Sequence, residues 1–154
     1  PVNIETISVN LRFDDKSGEY FHYCHGLKGH QGNCQRLAHG HRSRIAIEVD
    51  GYVRGDMEKA WTHRLGDTYV GSESDIIARP EIAGKEYIQF EYETVQGKFF
   101  LEIPADRCYL IATNTTIELI SEHILRTISA SFPGTKVMIR IQEGLGKGAI
   151  SQSS

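Results

Sequence analysis

The chain has 154 residues, a formal charge of −3 at pH 7 and 24% charged residues. This length suits one compact domain, expected over residues 1–150, with residues 151–154 as a disordered tail. The net negative charge argues against nucleic acid or an anionic membrane surface as the main partner. No stretch approaches the ~18 consecutive apolar residues of a membrane span. Three cysteines without scaffold spacing favour a reducing, cytoplasmic setting over a disulfide framework.

Alternating apolar residues predict the first strands. Residues 7–13 alternate apolar and polar side chains, which is the period of a half-buried strand. Residues 14–18 have the composition of a turn, and residues 20–25 are expected to return as a second strand. The glycines of residues 26–32 indicate a flexible loop.

A third predicted strand begins at His39. Side chains two residues apart on a strand point to the same side, so this strand has two distinct faces. One face carries His39, His41, Ser43, Ile45, Ile47 and Val49, and the other carries Arg42, Arg44 and Glu48. Residues 56–65 are then expected to form a short helix, and residues 87–103 a hairpin that turns at Gln96-Gly97.

The strongest helix signal begins at Thr115. Thr115-Thr116-Ile117-Glu118 fits the capping box, in which a cap hydroxyl is followed three residues later by a carboxylate. An apolar stripe continues through Ile120, Ile124 and Ile128, and Pro133-Gly134 ends the helix. Residues 137–143 alternate as a last long strand. This order of elements predicts an α+β domain with a mainly antiparallel sheet.

Three histidines form the most informative pattern. His39 and His41 lie two apart on a predicted strand, so both imidazoles can reach one ion. Imidazole nitrogen suits zinc, and three protein ligands with one open position are typical of a catalytic zinc site. His25, at the end of the preceding strand, is the natural third ligand. For His39-Gly40-His41 alone, a pair of surface histidines beside a turn is the alternative, because short motifs often match by chance.

The other histidines and cysteines have no motif role. His22, His30 and His123 are expected at surface or loop positions. Cys24 alternates with His25, so it is expected to face the opposite way, into packing. Cys108 is expected to be a buried small hydrophobe.

Five motifs occur in order along the chain: Phe21-His22-Tyr23-Cys24-His25, Cys34, His39-Gly40-His41, Asn114-Thr115-Thr116-Ile117-Glu118 and Ile139-Arg140-Ile141-Gln142-Glu143. Together they resemble the 6-pyruvoyl-tetrahydropterin synthase family, which includes the 6-carboxy-tetrahydropterin synthases. Residue by residue, the resemblance implies that His25, His39 and His41 hold zinc. It implies that Cys34 is the acid/base thiol, and that Thr115, Thr116 and Glu143 bind the pterin.

The resemblance also implies a catalytic histidine preceded by an aspartate. We match this histidine to His63, with Thr62 at the aspartate position, because residues 87–103 fit a hairpin inserted after it. A neutral hydroxyl can orient an imidazole but cannot stabilise its cation as a carboxylate does. A rival alignment places Asp106-Arg107-Cys108 there, which supplies the aspartate and loses the histidine. Four residues separate Cys34 from His39, whereas familiar members have three or five.

The resemblance implies the tunnelling fold (T-fold), a four-stranded antiparallel sheet with helices on one face. Such chains trimerise into a barrel, commonly as a hexamer of two trimers, with active sites between subunits. The implied activity is that of a zinc-dependent lyase acting on 7,8-dihydroneopterin triphosphate. We favour 6-carboxy-5,6,7,8-tetrahydropterin of 7-deazaguanine (queuosine-type) biosynthesis as the product, because that branch is more populous. The alternatives are the 6-pyruvoyl product, or a non-catalytic zinc- and pterin-binding paralogue, which Thr62 and the Cys34 spacing favour.

Overall fold

The computed structural model describes residues 18–29, 35–144 and 146–153. The strand predicted over residues 7–13 lies outside these ranges. Neither of the two helices in the described part of the chain is long and apolar enough to cross a bilayer. The elements are β1 (Glu19–His25), β2 (His39–Val49), β3 (Tyr52–Val53), α1 (Gly55–Leu65), β4 (Thr68–Ser72), β5 (Ile76–Ala78), β6 (Glu81–Ile82), β7 (Lys85–Thr94), β8 (Gly97–Pro104), β9 (Cys108–Ile111), α2 (Ile117–Ser129), β10 (Val137–Glu143) and β11 (Gly148–Gln152).

The first sheet has seven strands in the order β11-β10-β2-β1-β4-β9, with β3 paired to β2. Strands β11, β10, β2 and β1 pair antiparallel, whereas β1–β4 and β4–β9 pair parallel. The α+β class is confirmed, but the sheet is wider than the four antiparallel strands that the resemblance implied. The extra width arises because long crossover connections allow β4 and β9 to add as parallel strands.

Both helices pack on one face of this sheet, which we call the helix-side face. It carries the apolar half of each alternating strand, and Ile45 and Ile139 are completely buried there. The opposite side of the sheet is the reverse face, and on β2 it carries Gly40 and Arg42. The apolar stripe of α2 that the sequence predicted is buried against the helix-side face, through Ile117, Ile120, Ile124 and Ile128.

Helix α2 begins one residue later than the capping box predicted. Thr116 is the N-cap, and its hydroxyl accepts a hydrogen bond from the backbone N–H of Leu119 (3.5 Å). The Thr115 hydroxyl instead donates to the carbonyl oxygen of Gly26 (2.9 Å). Glu118, three residues on, favoured Thr115 as the cap, but the hydroxyl of Thr115 satisfies the buried Gly26 carbonyl, which needs a donor.

The hairpin predicted for residues 87–103 is present as β7 and β8, with Phe90 opposite Leu101. It belongs to a second, four-stranded sheet. The apolar face of this sheet packs against Tyr69 and Leu110, whereas Val70 and Ile111 belong to the core on the helix-side face. Because side chains alternate along β4 and β9, the second sheet covers the reverse face of these two strands.

The prediction that residues 151–154 form a disordered tail is wrong for residues 151–153, which the structure describes. Ser151 and Gln152 belong to β11, and the N–H of Ser153 donates to the carbonyl of Val137 (2.9 Å). The short polar side chains suggested disorder, but the backbone of β10 offers these residues a ladder of hydrogen bonds. Local composition does not reveal such a partner.

Candidate metal centre

Three histidines meet where β1 ends and β2 begins. Antiparallel pairing places His25 directly opposite His39, and His41 follows two residues later on the same face of β2. The possible ligand atoms of the three side chains all lie within 4.8 Å of one another. The structure therefore brings together the three residues that the sequence pattern selected as metal ligands.

Backbone carbonyl groups orient two of these rings. His25 Nδ1 lies 2.6 Å from the carbonyl oxygen of Thr115, and His39 Nδ1 lies 3.2 Å from that of Leu37. We assign the proton to Nδ1 in both rings because a carbonyl can only accept. In a neutral imidazole this leaves the lone pair on Nε2, and metal-binding histidines commonly have such a second partner.

The spacing of the nitrogens suits a divalent metal ion. The Nε2 atoms of His25 and His41 lie 3.1 Å apart. Tetrahedral zinc with Zn–N bonds of ~2.0–2.1 Å holds two nitrogen ligands ~3.3 Å apart. Imidazole ligands suit zinc, copper, iron and nickel, whereas magnesium and calcium prefer oxygen. The donor set therefore fits a transition metal or zinc.

Burial keeps the imidazoles of His25 and His41 in the form that binds metal. His25 is 0% exposed, and burial lowers its pKa to about 4 despite the opposing hydrogen bond to Thr115. Burial also lowers the pKa of His41, against the attraction of Glu143. Because a protonated imidazole cannot bind a metal, these lowered pKa values leave His25 and His41 ready to bind at neutral pH.

Glu143 lies beside the histidines at the end of β10. Its Oε1 atom is 3.5 Å from His25 Nε2 and 3.2 Å from His41 Nε2, and its Oε2 atom pairs with Lys147. Burial alone would raise the pKa of Glu143, but the hydrogen bond from Lys147 and the positive charge of Lys147 hold it below its usual value. Glu143 is therefore a buried, ionised acceptor. The sequence selected Glu143 as a pterin ligand but did not reveal its contact with the histidines or with Lys147.

Tyr23 is a residue of the centre that sequence reasoning missed. It lies two residues before His25 on the helix-side face and is 2% exposed. Its ring packs against those of His25 and His41, with centroids 5.2 and 5.6 Å apart. Burial raises the pKa of Tyr23, so its hydroxyl stays protonated. The signal for it was its spacing of two from His25 on an alternating strand.

The two threonines predicted to bind the pterin form structural contacts around the metal centre. Thr115 is 1% exposed; its carbonyl accepts from His25 and its hydroxyl donates to Gly26. Thr116 caps α2. Their predicted contact with a pterin stays a prediction.

The structure describes one residue of the predicted catalytic pair. His63 is exposed in the last turn of α1, and the structure does not bring it to the three histidines. Cys34 lies outside the described residues. The expectation that Cys24 packs into the interior is wrong: Cys24 is exposed, because the second sheet stops short of this part of the reverse face.

Comparison with known proteins identifies the family of this chain. Residues 16–152 match the 6-pyruvoyl tetrahydropterin synthase family. The chain belongs to this family. No curated protein sequence matches it. Its structure is similar to that of the 6-pyruvoyl tetrahydropterin synthase of Plasmodium falciparum, at 17% sequence identity, over 87% of this chain and 91% of that chain, with a TM-score of 0.61.

Membership of the 6-pyruvoyl tetrahydropterin synthase family confirms the resemblance drawn from the motifs. At this low identity the structural likeness speaks for the fold. The matched range runs from before His25 to beyond Glu143, so it contains every residue that the motifs selected. The three histidines thus belong to the pterin synthase domain.

Proposed function

We propose that this family member is a zinc-dependent lyase that converts 7,8-dihydroneopterin triphosphate to 6-carboxy-5,6,7,8-tetrahydropterin, in 7-deazaguanine (queuosine-type) biosynthesis. The observation that carries the proposal is the convergence of His25, His39 and His41, with ionised Glu143 beside them. A pterin synthase needs a metal and an acceptor for the pterin in one place, and these residues supply both.

Metal binding and pterin binding would be carried out by different residues of the site. His25, His39 and His41 would hold zinc and leave one position open. The chemistry that bound zinc supplies is Lewis acidity toward the hydroxyls of the substrate side chain. The Glu143 carboxylate, an acceptor on both oxygens, would pair with the N–H groups of the amino-pyrimidine edge. Thr115 and Thr116 would add polar partners at the start of α2.

Proton transfer is assigned to Cys34 and His63. A thiol near the metal would move protons to and from substrate carbon, and a histidine would support it. Active sites in the family lie between subunits, so exposed His63 would serve the site of a neighbouring chain. We therefore propose a homo-oligomer, a hexamer of two trimers, and the T-fold barrel that goes with it. A cytoplasmic location, inferred from cysteine usage, stays a prediction.

Two other functions remain as alternatives. The 6-pyruvoyl product would arise by elimination of triphosphate and tautomerisation of the side chain. A non-catalytic paralogue would bind zinc and pterin without turnover. Thr62 favours the second alternative, because its hydroxyl cannot stabilise an imidazolium at His63 as the family aspartate would.

One experiment separates these three functions. Zinc-loaded protein is incubated with 7,8-dihydroneopterin triphosphate, and the products are identified by mass spectrometry. A 6-carboxy product supports the main proposal, a 6-pyruvoyl product the first alternative, and unchanged substrate the second. The His39→Ala, His41→Ala double variant is the control for contaminating activity.

The role of Cys34 has its own test. Cys34→Ala should abolish turnover and keep zinc, because the thiol is not counted among the ligands. Retained turnover in this variant would refute the proton-transfer role. Loss of zinc would indicate a fourth, thiolate ligand and a closed structural site, as in the non-catalytic alternative.

A further inference from the structure

The reverse face of β1 and β2 borders a cavity, whose lining also includes Tyr23 and His41 of the metal centre. The side chains that alternate with the metal histidines point to this face, among them Cys24 on β1 and Arg42 on β2. The second sheet covers the neighbouring strands β4 and β9 and stops there. A space of about 570 Å³ remains between the two sheets, which we call the reverse-face cleft.

The floor and one wall of the reverse-face cleft are apolar. Gly40 has no side chain to fill the floor of the cleft. A Cβ at this position would contact Cys24 Sγ, at a distance of 3.4 Å. Leu101 and Ile103 of β8 form the wall. Its volume lies within the ~300–1,000 Å³ typical of cavities that bind small molecules.

The polar groups of the reverse-face cleft carry an excess of positive charge. Arg42 and Arg107 both line it, and neither forms an ion pair within the described ranges. The Arg42 guanidinium lies 4.7 Å above the centre of the Tyr20 ring, which holds it without using its N–H donors. Asp67 is the one carboxylate in the lining, and its backbone N–H donates to the His22 carbonyl (2.7 Å).

We propose that the reverse-face cleft binds a small organic anion with an apolar, flat body. Its carboxylate or phosphate group would pair with Arg42 and Arg107, whose planar forks of N–H donors match such groups. Its body would lie on Gly40 and Cys24, against Leu101. The residues that would hold this ligand, Arg42, Arg107 and Cys24, are not among the three proposed metal ligands, so its binding can be tested separately from the proposed lyase activity.

Calorimetry with a matched pair of probes tests the charge requirement. Zinc-loaded protein is titrated with 2-naphthoate and with neutral 2-naphthamide, which has the same ring system. Naphthoate should bind about tenfold more tightly or better, the effect of a hydrogen bond to a charged group. Arg42→Gln and Arg107→Gln should each remove about this advantage. Arg140→Gln is the control, because Arg140 lies on the reverse face of the sheet, on β10, and does not line the cleft.

Cys24 reports occupancy of the cleft directly. Its exposed thiol lies in the lining, so saturating naphthoate should slow its alkylation by iodoacetamide, and alkylation of Cys108 should not change. Peptide mass spectrometry distinguishes the two sites. Zinc content of Arg42→Gln and Arg107→Gln should equal that of the unmodified protein, so failure of the cleft is distinguishable from failure of the metal centre.

Three results would overturn the proposal. The first is equal affinity for naphthoate and naphthamide. The second is unchanged naphthoate affinity in both arginine variants. The third is a Cys24 thiol that is protected without any added ligand and reacts only after dilution to monomers, because a second copy of the chain would then fill the cleft.

Discussion

Strands β1 and β2 have two unlike faces, although each face is made from alternate residues of the same short segments. On the helix-side face, His25 is completely buried and its Nδ1 atom has a carbonyl partner. On the reverse face, His22 is exposed and borders a cleft. These two histidines, three residues apart on one strand, therefore differ in chemistry because different layers of the protein cover them. A register slip of one residue would exchange the two faces.

The largest expected difference between the faces concerns metal content. The unmodified protein should carry about one zinc per chain, and the His39→Ala, His41→Ala variant should carry none, because one imidazole cannot hold the ion. His22→Ala, a histidine change on the reverse face, should keep full metal content. Elemental analysis measures this, with circular dichroism to verify folding. Full zinc content in the double variant would refute the assignment of His39 and His41 as metal ligands.

Stability should differ between the faces by several kcal/mol. Ile45 is 0% exposed on the helix-side face, and Ile45→Ala should lower the free energy of unfolding by ~2–5 kcal/mol through lost burial and a cavity. Glu48→Ala, on the reverse face of the same strand, should change it by about 0.5 kcal/mol or less. Urea unfolding of both variants checks the contrast. Equal losses would mean that the reverse face is also packed.

Ligand binding should depend on the carboxylate of the helix-side face. Glu143→Gln removes a charged acceptor and should weaken binding of neopterin or sepiapterin by ~1.5–3 kcal/mol in calorimetry. Zinc content should not change, because the three imidazoles remain. Glu48→Gln is the matched control on the reverse face. If Glu143→Gln binds these pterins as tightly as the unmodified protein, Glu143 serves only as the partner of Lys147 and the histidines.

The last expected difference is kinetic and concerns two thiols on the reverse face. Burial raises the pKa of Cys108 to about 11, so about 0.1% of it is thiolate at pH 8. Since the thiolate is the reactive form, alkylation of Cys108 should be slow at pH 8 and rise about tenfold per pH unit until it levels off near its pKa. Cys24, exposed, should react faster at pH 8. A rate for Cys108 that does not change between pH 8 and pH 10 would contradict the raised pKa.

The helix-side face was largely predictable from sequence. Alternation over residues 39–49 fixed which side chains share a face, and the two-residue spacing of His39 and His41 predicted their convergence. The stripe of α2 was predictable for the same reason, because helical period decides which residues meet the sheet. These features depend on residues close together in the chain.

Features that depend on distant strands were not predictable. The contact of Glu143 with His41 requires β10 to pair with β2 in the register that sets Glu143 opposite Ser43, and no local pattern encodes that choice. The exposure of Cys24 depends on where the second sheet ends. The cap at Thr116 depends on the carbonyl of Gly26, about ninety residues earlier in the chain.

The hydrogen bond from His25 to Thr115 links metal binding to the stability of helix α2. One imidazole joins the metal centre to the residue that precedes the N-cap of α2. Any ion that orders His25 therefore strengthens the docking of this helix, and by thermodynamic reciprocity a well-docked helix raises the affinity for the ion. Thermal unfolding should then depend on the concentration of free metal, and α2 should be the helix whose amide protons exchange more slowly when metal is added.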